Sequence, residues 1–327
     1  MAKRNAPISD KMPSPPADPV NRREPLPSQV PNPAAEDPGA AARIKAILNS
    51  PGYRRADKDL DFIGEPPLRG VRLQIDYLKP ELLLEKHNIR HTIVVFGSTR
   101  ICEPTAAQRK VDGLKASQAH DPANSEWAKR LAVAERVLAK SKYYDVARAF
   151  GRLVGAAGQT PKGPHCTVVT GGGPGIMEAA NRGAFDIKAE TIGLNISLPH
   201  EQYPNPYITP ELCINFHYFA IRKLHFLLRA RALVAFPGGY GTFDELFEAL
   251  TLVQTRKMKP IPIVLVGEEY WRRAVNLDFL VEEGVIDPED RELLWFAETA
   301  EEIWDSIQRW YDMSGESLDG TEPLNRV

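Results

Sequence analysis

Long apolar runs are missing from this sequence. None approaches the roughly 18 residues expected of a membrane-spanning helix, and the opening MAKRNAPISDKMPSPP lacks the apolar core of a secretory signal. Cysteine is scarce: Cys102, Cys166 and Cys213 are far apart and odd in number. They give neither a disulfide framework nor a metal-spaced cluster, and a reducing cytoplasm is the expected compartment. No charge of one sign dominates either. With 41 basic and 43 acidic residues and a net charge of −2, nothing marks a nucleic-acid or anionic-membrane surface. An anionic ligand would have to be met by a local positive field. Aromatic residues do not occur before Tyr53, whereas ten of the 28 prolines crowd into residues 1–40. Such a segment cannot bury enough apolar surface to offset its ordering entropy and is expected to be disordered.

What is present is an alternation of short apolar runs with longer helical patterns, the sign of a parallel sheet with crossover helices. Strands are expected at residues 91–98, 165–173, 191–199, 232–239 and 261–267, with shorter ones near 212–215 and 295–297. Their continuous Val, Ile and Leu runs indicate burial on both faces. Ile176, Ala179, Ala180 and Ala184, then Ile221, Leu224 and Leu228, then Leu246, Leu250 and Val253 keep the 3/4 spacing of helices with one buried face. Residues 124–157 read as one long helix or two shorter ones. The expected organisation is a tail at 1–40, a helical extension at 41–90, one doubly wound, Rossmann-like α/β domain at 91–312 and a flexible end at 313–327.

Four of the five stronger strands run into glycine, and in open parallel sheets ligands sit outside that edge. In AFPGGYGTFDE (235–245) a buried strand meets glycines at 238, 239 and 241, and a helix begins near Thr242. Bare backbone amides at a helix start favour an anion such as phosphate. The bland alternative is a tight turn that needs glycine for its dihedrals. Thr242 and Glu245 also have the T-x-x-E spacing of a capping box, so Glu245 reads equally as a cap and as a carboxylate beside a phosphate loop. The second cluster, TGGGPGIMEAANRGA (170–184), does not fit the dinucleotide fingerprint G-x-G-x-x-G, and NAD is disfavoured. Glu178 in its first helical turn is a dipole partner or a ribose ligand. Arg222, His225 and Arg229 share one helix face, with Lys223 beside them. That face is either a solvated basic surface or one from which Arg222 reaches a nucleotide.

These motifs together resemble a known family. PGGYGTFDE matches the PGGxGTxxE signature of the LOG-like proteins, often labelled "possible lysine decarboxylase"; GGGPGIMEAANRGA and the Arg222–Lys223 pair match the other two motifs, in order. The chain looks like the longer bacterial relatives. The resemblance implies a phosphoribohydrolase that splits AMP or a cytokinin riboside 5′-monophosphate into free base and ribose 5-phosphate. It implies Glu245 and Arg222 as the catalytic pair and Gly238, Gly239, Gly241 and Thr242 as the phosphate loop. Gly97, Ser98, Gly172, Gly173 and Lys223 would flank the nucleotide. A homodimer or larger homo-oligomer is expected, with no metal and no cofactor. Lysine decarboxylation would call for pyridoxal phosphate as electron sink, and no lysine here is marked out to hold it. The alternative of another class is a non-catalytic nucleotide carrier, or a carrier of the molybdenum-cofactor type, on the same fold.

Overall fold

The computed structural model describes residues 33–159, 165–199 and 203–318, together with Leu26. Most of the N-terminal tail, and residues 319–327 of the C-terminal one, lie outside the described residues. The chain divides into two compact units, residues 1–69 and 70–327. In the first, α1 (Ala40–Leu48) is followed by the short α2 (Leu60–Gly64), whose Asp59 cap accepts from Phe62 N at 3.2 Å.

The second unit enters through α3 (Arg69–Lys86) and carries the sheet. The elements of its first half are β1 (His91–Phe96), α4 (Pro104–His120), α5 (Ser125–Lys140), α6 (Lys142–Gly158), β2 (Cys166–Thr170), α7 (Ile176–Asp186), β3 (Thr191–Ile196) and β4 (Cys213–Phe216). Then follow α8 (Phe219–Leu228), β5 (Ala230–Ala235), α9 (Tyr240–Gln254), β6 (Ile263–Val266), α10 (Glu268–Ala274), α11 (Leu277–Glu282), β7 (Leu294–Ala297) and α12 (Ala300–Ser314). The seven strands pair in the order β4-β3-β2-β1-β5-β6-β7, every pair parallel. This is the Rossmann-like, doubly wound sheet that the apolar runs predict. The chain winds outward from β1 to β4, then returns to lay β5 against the other side of β1. That reversal opens a crevice at the carboxyl ends of β1 and β5.

The strands are mainly apolar because alternate residues feed opposite cores. From β1, Val94 and Phe96 join the core beneath α8 and α9, while Ile93 and Val95 join that beneath α6, α7 and α12. β5 divides likewise, Leu233 and Ala235 against Ala232 and Val234. The stretch expected as one or two helices is two, α5 and α6. It is preceded by α4, where no element is expected. Helices α4 and α5 form a hairpin with a small core of its own: Val111, Leu114 and Ala134, with Trp127, Leu131 and Leu138 against it.

The solvated reading of the α8 face is overturned. His225 and Arg229 are 3% and 5% exposed. Arg229, at the end of α8, forks onto both carboxylate oxygens of Glu81 on α3, Nη2 to Oε2 at 3.1 Å, and its Nε reaches Ile89 O at 3.2 Å. His225 Nε2 lies 3.4 Å from Glu81 Oε1, with its ring against Tyr77 and Phe216. Burial alone would raise the Glu81 pKa, but His225 and Arg229 outweigh it and hold it at about 2. The stability from this ionised carboxylate is therefore present above pH 4.5 and is lost as pH falls towards 2. Arg229→Ala strands a buried carboxylate and should cost about 3–5 kcal/mol, read as a lower urea midpoint at neutral pH. A variant with an unmoved midpoint would show that the pair contributes nothing.

Candidate active site

Three loops are tied together at the crevice. The loop after β1 (residues 97–100) lies between the loop after β5 (237–239) and the glycine loop before α7. Ser98 N donates to Pro237 O at 3.0 Å, and Ile176 N donates to Ser98 O at 3.1 Å. Gly175 has φ +75° and sits so close that a Cβ there would fall 2.4 Å from Ser98 O. Only glycine meets both demands.

The loop after β5 leads into α9 with Gly239 as its N-cap and no side-chain cap. The N–H groups of Gly238, Gly239, Tyr240 and Gly241 find no acceptor among the described residues. A Cβ on Gly239 or Gly241 would meet open space, whereas one on Gly238 would fall 2.1 Å from Thr242 Oγ1. Gly238 is thus required by packing, and the other two leave the amides bare. Tyr270 fixes the loop from outside, its hydroxyl donating to Gly238 O. The capping-box reading of Thr242 and Glu245 fails for a geometric reason. The helix starts at Tyr240, so Thr242 is already helical and Glu245 lies in the second turn.

Glu245 is buried, yet its carboxylate takes no hydrogen bond from any described residue. It faces a cavity of about 740 Å3 lined also by Gly97, Ser98, Gly171, Arg222 and the loop from Pro237 to Thr242. Burial raises its pKa to about 7 against the opposing pull of Arg222 and Lys223. Arg222 comes from the start of α8 and is held by its backbone partners: Nε donates to Leu194 O at 2.7 Å and Nη2 to Gly171 O at 3.4 Å. Its guanidinium also rests 5.1 Å from the centre of the Phe226 ring. Burial loosens its proton and Glu245 offsets part of that. The two form no direct ion pair among the described residues, so an uncommitted carboxylate and a fixed cation share one chamber.

The other expected ligands divide. Gly97, Ser98, Gly238, Gly239, Gly241 and Thr242 line the cavity, but Gly172, Gly173 and Lys223 do not. Asn205 occupies the backbone of the glycine pair, its N bonding Gly172 O at 2.9 Å and its Nδ2 bonding Gly173 O at 3.1 Å. Gly171 is the cavity glycine of that cluster. A Cβ there would fall 2.6 Å from Arg222 Nη2. Lys223 is spent on Asp244 and Glu248, at 3.0 and 3.1 Å. Glu178 accepts from Tyr144 Oη at 2.8 Å and stays out of the cavity. The sequence reading missed Tyr270, Met177 and one face of α5, which also line it. Only the 3/4 spacing of that α5 face could have signalled it. Among the described residues, no group of three or more His, Cys, Asp or Glu could hold a metal, and no helix is long and apolar enough to cross a membrane.

The family model described as "possible lysine decarboxylase" matches residues 177–307, the stretch that holds both Arg222 and Glu245. A probable cytokinin riboside 5′-monophosphate phosphoribohydrolase of Oryza sativa subsp. japonica is 29% identical over 154 residues, covering 44% of this chain and 68% of that protein. A cytokinin riboside 5′-monophosphate phosphoribohydrolase of Arabidopsis thaliana is 30% identical over 146 residues, covering 44% of this chain and 66% of that protein. Over this stretch the chain is similar to the LOG-like phosphoribohydrolases. Among solved structures, the molybdenum cofactor carrier protein of Chlamydomonas reinhardtii is similar at 17% identity and TM-score 0.39, over 68% of this chain and 99% of that one. The molybdenum cofactor binding protein of Rippkaea orientalis reaches 22% identity and TM-score 0.35, over 51% and 87%. Likenesses this loose carry nothing about the site.

Folding raises the Glu245 pKa from 4.5 to about 7, so stability linked to this group is full below pH 4.5 and is lost as pH rises through 7. Glu245→Gln removes that loss. The melting temperature of the variant minus that of the wild type should climb between pH 4.5 and 7, by the equivalent of roughly 3 kcal/mol, and level off above. A difference independent of pH would mean that Glu245 is solvated like a surface carboxylate.

Proposed function

We propose that this protein hydrolyses the N-glycosidic bond of a nucleoside 5′-monophosphate, AMP or a cytokinin riboside 5′-monophosphate, to the free base and ribose 5-phosphate. The observation that carries the reading is the buried Glu245 carboxylate, unbonded, beside four bare amides at the start of α9. Those amides and the positive end of the helix suit a phosphate dianion. Held there, the phosphate supplies remote binding energy that fixes the ribose against Glu245.

The chemistry follows from the charges. As the bond from C1′ to the base nitrogen breaks, its electron pair leaves with the base and positive charge builds on the ribose. An ionised Glu245 stabilises that charge and takes a proton from the water whose oxygen bonds to C1′. The proton taken from water then passes from Glu245 to the departing base, directly or through water, and the carboxylate is restored. Arg222, fixed by Leu194 O and Gly171 O, favours the ionised form of Glu245 and anchors the substrate. The names of the Oryza and Arabidopsis relatives support the same reaction class.

The test is chromatography of products from a panel of nucleoside monophosphates and their nucleosides. The phosphate brings several charge-assisted hydrogen bonds, each about 1.5–3 kcal/mol, so kcat/KM for adenosine should fall at least about 10²-fold below that for AMP. Since the working form of Glu245 is ionised, kcat/KM for AMP should rise with pH through about 7. Glu245→Gln should lose about 10²-fold or more. Equal rates for adenosine and AMP would sink the phosphate loop. Tight AMP binding with no base released would leave a nucleotide carrier.

A further inference from the structure

Helix α5 has two working faces. Trp127, Leu131, Ala134 and Leu138 pack into the core of the α4–α5 hairpin. Val133, Arg136, Val137 and Lys140, at i, i+3, i+4 and i+7, line the cavity that holds Glu245. Arg100, from the loop after β1, lines it too. Cations elsewhere near the site are engaged: Lys223 by Asp244 and Glu248, Arg222 by two carbonyls. Arg100, Arg136 and Lys140 have no acidic partner among the described residues; the Lys140 ammonium reaches only Arg136 O at 3.2 Å. Three unmatched cations therefore converge on one cavity in a chain whose net charge is −2.

One 5′-phosphate does not account for them. Its non-bridging oxygens are already matched by the four bare amides of residues 238–241, and its two charges leave positive charge over. The volume, about 740 Å3, lies in the upper part of the 300–1,000 Å3 range of small-molecule sites and leaves room beyond a nucleoside monophosphate. We propose that the α5 face, with Arg100, is a second anionic subsite, and that the preferred ligand is a nucleotide carrying a second phosphate group. Val133 and Val137 give the apolar contact between the two cations. The second phosphate has two possible sources, an extension of the 5′ chain or an ester on the ribose. This inference deepens the nucleotide-hydrolase reading and rests on it for the reaction, but not for binding. The hairpin that supplies α5 precedes the family match, which begins at residue 177.

Calorimetric titration of the full-length Glu245→Gln protein with AMP, ADP and adenosine 3′,5′-bisphosphate separates the possibilities without requiring turnover. One of the two doubly phosphorylated ligands should bind at least tenfold more tightly than AMP, and which one identifies the source. In Glu245→Gln combined with Arg136→Ala and Lys140→Ala, that ratio should collapse to within about threefold of unity. An unchanged melting curve for the combined variant would certify its fold; if it fails to fold, Arg136→Gln with Lys140→Gln replaces it. Three results overturn the proposal: equal affinities for all three ligands, a ratio that survives the substitutions, or an equal loss for AMP and the doubly phosphorylated ligands. The last would assign the α5 cations to the single 5′-phosphate. Absence of base release by the wild type would instead remove the hydrolase reading and leave the subsite standing.

Discussion

The bond between Ser98 N and Pro237 O, 3.0 Å long, joins the ends of two strands that are neighbours in space and far apart in sequence. It can form only because β5 returns to the open side of β1. Everything chemical in the molecule is referred to that seam. Ser98 O on the same loop holds Ile176 N, which brings the glycine cluster over the crevice, and Gly171 O at its other end receives Arg222. The bare amides before α9 follow directly from Pro237. A chain that wound in one direction only would leave the loops after β1 and β5 at the same carboxyl edge but several strands apart, and no cavity would unite them.

The cost of the site is concentrated on Glu245. A carboxylate removed from water without a hydrogen bond is expensive, and the fold meets that cost partly by letting it protonate near neutrality. Arg222 moderates the penalty without closing onto the carboxylate, since its own donors are tied to Leu194 O and Gly171 O. A direct ion pair would stabilise the protein more and hold the carboxylate away from a substrate. The buried Arg229–Glu81 pair shows the other solution in the same helix neighbourhood: forked, satisfied and chemically inert.

Much of this was legible in the residues. Apolar runs, four of them ending in glycine, located all seven strands, because a strand buried on both faces is built mainly of apolar residues. The loop at 237–242 was legible from its glycines, and that Arg222 and Glu245 share a cavity agrees with what the family resemblance implies. The exact use of each glycine was not. Gly172 and Gly173 looked the same as Gly171 in sequence, and only the approach of Asn205, some thirty residues on, takes their carbonyls out of the site. Helix capping misled for a related reason: T-x-x-E fits a cap by spacing alone, but the helix begins two residues earlier, at Tyr240. A solvated α8 face stayed open as a reading because the partner of Arg229, Glu81, lies 148 residues away.

The α4–α5 hairpin keeps its apolar contacts largely to itself, in a core separate from both faces of the sheet. Mutational drift on its cavity side therefore leaves the Rossmann-like framework untouched, and drift in the framework leaves the hairpin intact. Such an arrangement makes one wall of the cavity an exchangeable part. A descendant lineage could swap or reshape the hairpin and change what the cavity admits, while the crevice beneath it, with Arg222 and Glu245, is inherited unaltered.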